Sequence, residues 1–167
     1  MSDVTGIERT LVLLKPDAVA RGLVGRVLAR FEDALLKIVA SKMVWMDAEL
    51  NRQHYFDLED RFGPEVYNAV ASFMQAGPVF AFVIEGVEAI KIVRKLVGAT
   101  YPDEAAPGTI RGDFGHQSKA YANANGLPIA NLVHASSSAG DAKREIDVWF
   151  AEGDIHHYKI VAEKFVT

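Results

Sequence analysis

The chain has 167 residues, of which half are apolar and 24% are charged, and its formal net charge is −4. This length fits a single domain over residues 1–167, and the acidic balance disfavours nucleic acid and acidic membranes as partners. Cysteine is absent, which excludes disulfides and thiol chemistry. The sequence shows no secretory leader and no apolar run of membrane-spanning length, so we expect a cytoplasmic protein with no membrane partner.

The first half of the chain predicts a β-α-β unit followed by two helices. Residues 10–14 are apolar and bounded by polar residues, as in a buried strand. A helix follows whose apolar residues recur every three or four positions: Leu23, Val27, Leu28, Phe31 and Leu35. Residues 38–46 predict a second strand. Asn51 is expected to cap a short helix ending at Phe62, and a helix over residues 65–75 follows, with an inward face of Val66, Ala69, Val70 and Phe73.

The second half of the chain predicts another strand, helix and strand. Residues 79–84 form the clearest strand, and residues 87–97 form a helix with Ile90, Val93 and Val97 on one side. Residues 98–115 contain so many glycine and proline breaks that no regular structure is expected, and irregular segments of this length usually serve function. Residues 131–134 form a short strand. One of the serines at 136–138 then caps a helix whose buried face is Ala142, Ile146, Trp149 and Phe150.

This order of elements predicts a ferredoxin-like, split-βαβ sandwich of the α+β type. Its centre would be a four-stranded antiparallel sheet surrounded by helices. The tail over residues 151–167 ends in an extended-looking segment. That segment could lie against its own domain or against a neighbouring subunit.

His134 has the sequence surroundings of a covalent nucleophile. It ends a short apolar stretch, hydroxyl side chains follow it, and Glu145 lies downstream, where a carboxylate can hold one ring nitrogen. Lys15 follows an apolar run, and Arg111 lies in a turn-rich stretch. One nucleophile together with several cations indicates phosphate chemistry. The chain has no Gly-x-x-x-x-Gly-Lys-Ser/Thr string, which excludes a P-loop as the phosphate site. It also has no set of histidines and carboxylates with metal-ligand spacing, so no protein-bound metal is expected.

Several segments over about residues 8–150 resemble, in order, the nucleoside diphosphate kinase family. They are residues 8–10 (ERT), 13–17 (LLKPD), 21–25 (RGLVG), 77–79 (GPV), 107–114 (PGTIRGDF) and 131–138 (NLVHASSS). The resemblance implies the ferredoxin-like fold and a ping-pong enzyme. Such an enzyme passes the γ-phosphoryl group of ATP to a nucleoside diphosphate through a phosphohistidine, and so maintains the pools of (deoxy)nucleoside triphosphates.

The resemblance also implies roles for individual residues. It places the attacking atom at Nδ1 of His134, while Glu145, through or beside Ser136, orients the other side of the ring. Lys15 is implied in both catalysis and phosphate binding. Further implied nucleotide contacts are Tyr55 near Lys15 and the histidine, Arg94, Thr100 and Arg111 at the phosphates, and Asn131 at the sugar hydroxyl. For the apolar clamp on the base, Tyr67 with Val70 is favoured over Phe62.

The family's cofactor and partners follow in the same way. Magnesium is expected to be carried on the nucleotide phosphates rather than by a protein site. The expected partners are nucleoside di- and triphosphates and further copies of the chain, in a homo-oligomer that is a hexamer or a tetramer built from dimers.

The chain also departs from the family pattern. The string after His134 reads Ala135-Ser136-Ser137, which keeps the serine but lacks the family's common glycine and aspartate. Residues 115–130 are interpreted as an insertion that could be a flap or an oligomer contact. The other histidines are interpreted as surface residues: His54, His116, His156 and His157.

Two other classes of protein remain as alternatives. A nucleotide-binding regulatory module on the same fold would have lost catalysis, but the chain retains the nucleophile, its carboxylate and the cations. A nucleic-acid binder would also suit this fold, yet the acidic balance and the lack of an aromatic-basic motif disfavour it.

Overall fold

The computed structural model describes residues 6–166, and a four-stranded sheet forms its centre. The strands are β1 (Ile7–Leu14), β2 (Lys37–Val44), β3 (Val79–Val87) and β4 (Val133–Ala135). Their order across the sheet is β2-β3-β1-β4, and each neighbouring pair is antiparallel. The predicted four-stranded antiparallel sheet of a ferredoxin-like fold is therefore confirmed.

The central strand β1 is covered on both faces, which explains its unbroken apolar run. Side chains alternate between the two faces of a strand. Val12 and Leu14 therefore pack with Phe82 in one core, whereas Leu11 and Leu13 pack with a second core on the other face; all five are fully buried. Removing water from both faces stabilises the sheet and fixes its register.

Ten α-helices surround the sheet in the part of the chain that the structure describes. They are α1 (Pro16–Ala20), α2 (Val24–Glu32), α3 (Ala48–His54), α4 (Leu58–Phe62), α5 (Pro64–Met74), α6 (Ala89–Val97), α7 (Ile110–Phe114), α8 (Lys119–Ala124), α9 (Ala139–Trp149) and α10 (Glu163–Val166). The core facing α2 and α6 includes Val27, Phe31 and Val93, and the core on the opposite face includes Trp149 of α9. Ser138 caps α9 by accepting from the Asp141 N–H, as one of the three predicted serines.

Three details between residues 47 and 75 differ from the sequence interpretation. The side chain of Asp47, not Asn51, caps α3 by accepting from the Leu50 N–H at 2.8 Å. Asn51 lies inside the helix and is fully buried. The two helices predicted here are three. The inward face of α5 includes the predicted Val70 and Phe73, which pack against the core beside the buried Tyr67 and Met74, whereas Val66 and Ala69 are exposed.

The segment over residues 98–115 is more regular than expected. It contains a single 3-10 turn, Pro102–Glu104, and the helix α7. Thr109 caps α7, because its hydroxyl accepts from the Gly112 N–H at 3.1 Å. A short capped helix can form among glycines and prolines, which apolar periodicity could not reveal.

Residues 115–130 contain the helix α8, which Ser118 caps through the Tyr121 N–H. Gln117 ties the start of this segment to its end, since its side-chain oxygen accepts from the Ala130 N–H at 2.6 Å. Lys119 lies over the Tyr101 ring, with 5.3 Å between the ammonium and the ring centroid. The interpretation of this segment as an insertion in a single domain stays a prediction.

The tail lies against its own domain along the β2 edge. The His156 N–H donates to the Val39 carbonyl at 2.8 Å, and the Tyr158 hydroxyl donates to the Ile38 carbonyl at 2.5 Å. The tail ends in α10 rather than in an extended segment, as far as residue 166. Within residues 6–166, every helix is too short or too polar to cross a membrane.

Candidate active site

The sheet register brings the two ends of the candidate site together. Leu13 in β1 pairs with His134 in β4, so Lys15, which follows β1, lies beside the histidine strand. The Lys15 N–H donates to the Leu132 carbonyl at 2.9 Å. Since the C-terminal part of β1 is fully buried, the site is built on a packed strand of the core, which suits precise positioning of side chains.

His134 is oriented by a carboxylate. Its Nε2 lies 2.9 Å from Oε2 of Glu145, and the same oxygen accepts a hydrogen bond from the Ser136 hydroxyl at 2.7 Å. A carboxylate can only accept, so Nε2 carries the proton and the lone pair is on Nδ1. The histidine side chain is 23% exposed and the glutamate side chain 6% exposed. The ring can therefore be reached from outside, while the carboxylate that holds it is shielded from water.

His54 is buried next to this pair, and its interpretation as a surface residue is wrong. It is 3% exposed, and its ring packs edge to face against His134, with 4.6 Å between the ring centroids. Trp149 donates its indole N–H to Nδ1 of His54 at 3.2 Å. Burial first, then the nearby positive groups, holds the pKa of His54 well below its usual range, so this ring is neutral.

Three potential metal ligands converge here, although their sequence positions gave no sign of it. One donor atom each of His54, His134 and Glu145 lies within 4.8 Å of the others. A metal-ligating nitrogen must carry a lone pair. Because the indole N–H of Trp149 occupies Nδ1 of His54, the proton of that neutral ring is on Nε2. This tautomer makes His54 a hydrogen-bond donor on its free side, which is a poor metal ligand.

A cavity of about 390 Å³ opens in front of His134. Its lining unites five of the predicted residues with the histidine: Lys15, Arg94, Thr100, Arg111 and Asn131. Sequence reasoning did not identify Val97, Gly98, Ala99 and Ser137, which complete the wall with Val133 and Ala135. Among residues 6–166, no carboxylate lines this cavity, and three of its side chains are cationic, so it is suited to a small polyanion.

The cations of the cavity repel one another in the absence of an anion. Burial, followed by the charge of Arg111, lowers the pKa of Lys15 to about 8. Burial, followed by the charge of Arg94, lowers the pKa of Arg111 to about 10. A bound phosphate would supply the missing opposite charge and favour the charged form of both side chains.

Arg111 is also tied to the backbone around the cavity. Its guanidinium donates to the carbonyls of Gly98 and Ala99 at 3.1 Å each, and to those of Asn131 at 3.1 Å and Val133 at 2.6 Å. A guanidinium has five N–H groups, so four of them are engaged here. Arg111 therefore joins the loop after α6 to the start of β4 and keeps one N–H for a ligand.

Asn131 is held in a similar way. Its side-chain oxygen accepts from the Lys15 ammonium at 2.7 Å, and its side-chain nitrogen donates to the Thr100 carbonyl at 2.9 Å. The oxygen retains a second lone pair for another donor. A sugar hydroxyl could use this lone pair without breaking the bond to Lys15.

The structure does not bring the favoured base clamp to the cavity. Tyr67 is 6% exposed, and the Arg52 guanidinium covers its ring at 4.6 Å from the centroid. Val70 is half-buried against the core under β1, whereas Phe62 is 55% exposed. Tyr67 therefore has no open face for a base, because α5 turns it inward. Phe62 is more accessible, with the Arg61 guanidinium over one face of its ring at 5.0 Å from the centroid.

Tyr55 does not line the cavity either, but it lies near His54 and Glu145. Its ring packs edge to face on His54, with 4.5 Å between the centroids. Burial, together with the negative charge of Glu145, raises the pKa of its phenol, so Tyr55 is a neutral hydroxyl. A contact between Tyr55 and a nucleotide stays a prediction.

Comparison with known proteins agrees with this geometry. The sequence model of the nucleoside diphosphate kinase family matches residues 8–155. A nucleoside diphosphate kinase of Borreliella burgdorferi is 48% identical over 155 residues, which are 92% of this chain and 93% of the relative. That of Pyrococcus furiosus is 45% identical over 95% of this chain and 92% of its own.

Solved structures agree as well. A transition-state mimic of nucleoside-diphosphate kinase from Borrelia burgdorferi, with bound vanadate and ADP, superposes with a TM-score of 0.92 at 47% identity and covers 96% of each chain. A halophilic nucleoside diphosphate kinase from Halobacterium salinarum in complex with CDP gives 0.84 at 38% identity, over 97% of this chain and 99% of that one. This protein belongs to the nucleoside diphosphate kinase family.

Proposed function

We propose that this nucleoside diphosphate kinase passes the terminal phosphoryl group of a nucleoside triphosphate to a nucleoside diphosphate through a phosphohistidine on His134. The observation that carries the proposal is the Nε2 contact to Glu145 at 2.9 Å, which leaves the lone pair on Nδ1 beside a cavity lined by cations. A neutral imidazole is nucleophilic near neutral pH. The contact to Glu145 thus gives the neutral ring of His134 the tautomer that attack on phosphorus requires.

The reaction has two balanced halves. In the first, a bond forms between Nδ1 of His134 and the γ-phosphorus, and the bond from that phosphorus to the β-γ bridging oxygen breaks, which releases the diphosphate. Positive charge develops on the ring, and Glu145 opposes it from 2.9 Å. In the second half, a terminal oxygen of another diphosphate attacks the same phosphorus, and the Nδ1–phosphorus bond breaks.

Lys15, Arg94 and Arg111 would bind the phosphate oxygens, with Thr100 as a neutral partner at the rim. The transition state of phosphoryl transfer spreads negative charge over the equatorial oxygens, so fixed cations are the main catalytic requirement. Each charge-assisted hydrogen bond contributes about 1.5–3 kcal/mol. Several of them at one phosphoryl group can lower the barrier substantially.

Magnesium would enter with the nucleotide as part of the substrate. The donor set supports this, since none of the cavity-lining side chains in the described part of the chain is a carboxylate, the group through which proteins usually bind Mg²⁺. The ion would neutralise part of the charge of the phosphates, while Lys15, Arg94 and Arg111 would neutralise the rest. The substrates by class are nucleoside di- and triphosphates, in line with the ADP and CDP bound in the structural relatives.

For the rest of the nucleotide, we propose that Asn131 reaches the sugar through its second lone pair and that the base stacks near the exposed ring of Phe62. Stacking needs only a π-face, which suits an enzyme that accepts different bases. Replacing Phe62 with Ala would raise KM for every base alike. Replacing the covered Tyr67 would instead lower the melting temperature.

We also propose that the chain forms a homo-oligomer, a hexamer or tetramer built from dimers, and works in the cytoplasm. Large apolar side chains are exposed on the described surface and favour association: Met43 is 57% exposed, Trp45 65%, Val161 74% and Phe165 76%. Native mass spectrometry separates the two assemblies. A mass equal to one chain would reject both.

The test of the phosphohistidine is labelling with γ-³²P-ATP alone. The expected product is one base-stable, acid-labile phosphate on the wild-type protein and none on His134→Asn, while His116→Asn, which alters an exposed histidine, labels normally. A regulatory module without catalysis would bind ATP and remain unlabelled. Retention on DNA that falls with salt would instead favour a nucleic-acid binder.

A further inference from the structure

The backbone turns sharply just before β4. Leu132 has a left-handed conformation with φ of 69°, and the Val133 N–H donates to the Asn131 carbonyl at 2.7 Å. These two features define a γ-turn with positive φ at its centre, a rare and strained form for an L-residue. Leu132 is fully buried. Such a turn persists only where the surrounding groups hold it.

The groups that hold Leu132 come from the start of α1. Its N–H donates to Oδ2 of Asp17 at 3.1 Å, and its carbonyl accepts from the Lys15 N–H at 2.9 Å. Arg111 binds the carbonyls on either side, those of Asn131 and Val133. Among these groups, Asp17 supplies the side-chain bond to Leu132 itself.

The turn decides where two site residues point. On one side, Asn131 bonds to Lys15 and to the Thr100 carbonyl. On the other side, β4 begins at Val133, and His134 faces Glu145 from the next position. If the peptide groups around Leu132 rotated to a relaxed conformation, both neighbours would move relative to the cavity.

Asp17 itself does not line the cavity. Burial raises the pKa of its carboxyl, opposed by the charge of Lys15 and by the backbone N–H groups of Leu132, Ala18 and Asp17. A buried carboxylate needs such donors to offset its lost hydration. The Leu132 N–H is the donor that lies at the turn, so this bond joins the carboxylate to the strained residue.

We propose that Asp17 is a positioning residue, whose carboxylate holds Leu132 in the strained turn and thereby aligns Asn131 and His134 for phosphoryl transfer. The proposal rests on the proposed role of His134 as phosphoryl acceptor. Asp17 acts through the backbone and does not touch the transferred group.

The test compares four variants in single-turnover labelling with γ-³²P-ATP at saturating nucleotide. Asp17→Ala removes the acceptor and is expected to slow labelling by about a hundredfold, as for a displacement of about 1 Å in a reacting pair. Asp17→Asn keeps an oxygen for the Leu132 N–H and is expected to stay within about tenfold of wild type. Leu132→Gly is the matched background for the double variant, since it carries the same cavity in the core. Adding Asp17→Ala to Leu132→Gly is expected to cost several-fold less than Asp17→Ala costs in the wild-type chain, because glycine adopts positive φ without strain.

Each other outcome has a definite meaning. Equal losses in Asp17→Ala and Asp17→Asn, both repaired at lower pH, would mean that Asp17 acts only through the charge of Lys15 and would overturn the proposal. An Asp17→Ala protein as fast as wild type, or an equal loss from Asp17→Ala in the wild-type and Leu132→Gly backgrounds, would also overturn it. If Asp17→Ala does not fold by circular dichroism, Asp17→Ser, with a shorter side chain, replaces it under the same expectations. Unlabelled wild type would refute the function instead.

Discussion

Glu145→Gln tests how the carboxylate supports the nucleophile. In the structure, Oε2 accepts from both His134 and Ser136, at 2.9 and 2.7 Å, and Oε1 lies 3.4 Å from the Arg144 guanidinium. A glutamine has one oxygen and one NH₂ group in these places. If the amide oxygen faces His134, the NH₂ group faces the Arg144 guanidinium, and two donors oppose each other there. If the NH₂ group faces His134, it opposes the proton on Nε2.

Either orientation replaces a charge-assisted hydrogen bond by a neutral one at best. Hydrogen bonds to charged groups contribute about 1.5–3 kcal/mol and neutral ones about 0.5–1.5 kcal/mol, so the difference is about 1–1.5 kcal/mol. Because the ring becomes positive as Nδ1 bonds to phosphorus, this difference falls on the transition state. The expected loss is therefore about tenfold in the rate of phosphorylation, since 1.36 kcal/mol corresponds to a factor of ten.

The assay is a quench-flow measurement of labelling from γ-³²P-ATP at saturating nucleotide. Glu152→Gln, which alters an exposed glutamate outside the site, serves as the matched control and is expected to match wild type. If Glu145→Gln labels His134 within twofold of the wild-type rate, the carboxylate merely holds the ring in place. The charge argument would then be wrong.

Three further predictions follow from the same geometry. The pKa of Lys15 is lowered to about 8 in the free site, so its charge is present below that pH and lost above it. Because a bound phosphate raises this pKa, kcat/KM should fall above about pH 8 while kcat persists to higher pH. Lys15→Gln should lack this difference between the two pH profiles. Trp149→Phe leaves Nδ1 of His54 without its donor, and calorimetry should find a loss of about 1–3 kcal/mol, or a melting temperature lower by several degrees. Arg111→Lys keeps the charge but cannot donate to four carbonyls, so it should lower the melting temperature and reduce activity by about tenfold or more. Activity equal to wild type would contradict the structural role of Arg111.

The elements that the sequence predicted well are those with a strong local signal. The apolar runs of β1 and β3 are buried on both faces, and the Ser138 cap starts α9. The pair His134 and Glu145 was also predictable, because the histidine lies at the end of a predicted strand and the glutamate lies eleven positions later in the helix that follows. The order of the strands then follows from the restricted topology of a split-βαβ fold.

The features that sequence reasoning missed depend on contacts between distant segments. His54 is buried because α3 packs on α9, where Trp149 supplies its hydrogen bond, and no local pattern reports a contact across 95 positions. Asp47 replaces Asn51 as the cap of α3 because two similar capping residues compete one helical turn apart. Tyr67 turns inward since α5 presents its aromatic residue, rather than Val66, to the core.

The tail beyond the family match protects the open side of the sheet. An outer strand offers unpaired peptide groups to any other extended chain, and proteins commonly block such strands to avoid fibrillar aggregation. Here the bonds from His156 and Tyr158 occupy carbonyls of β2 at positions 39 and 38. A chain cut after residue 155 would therefore keep its chemistry but lose solubility.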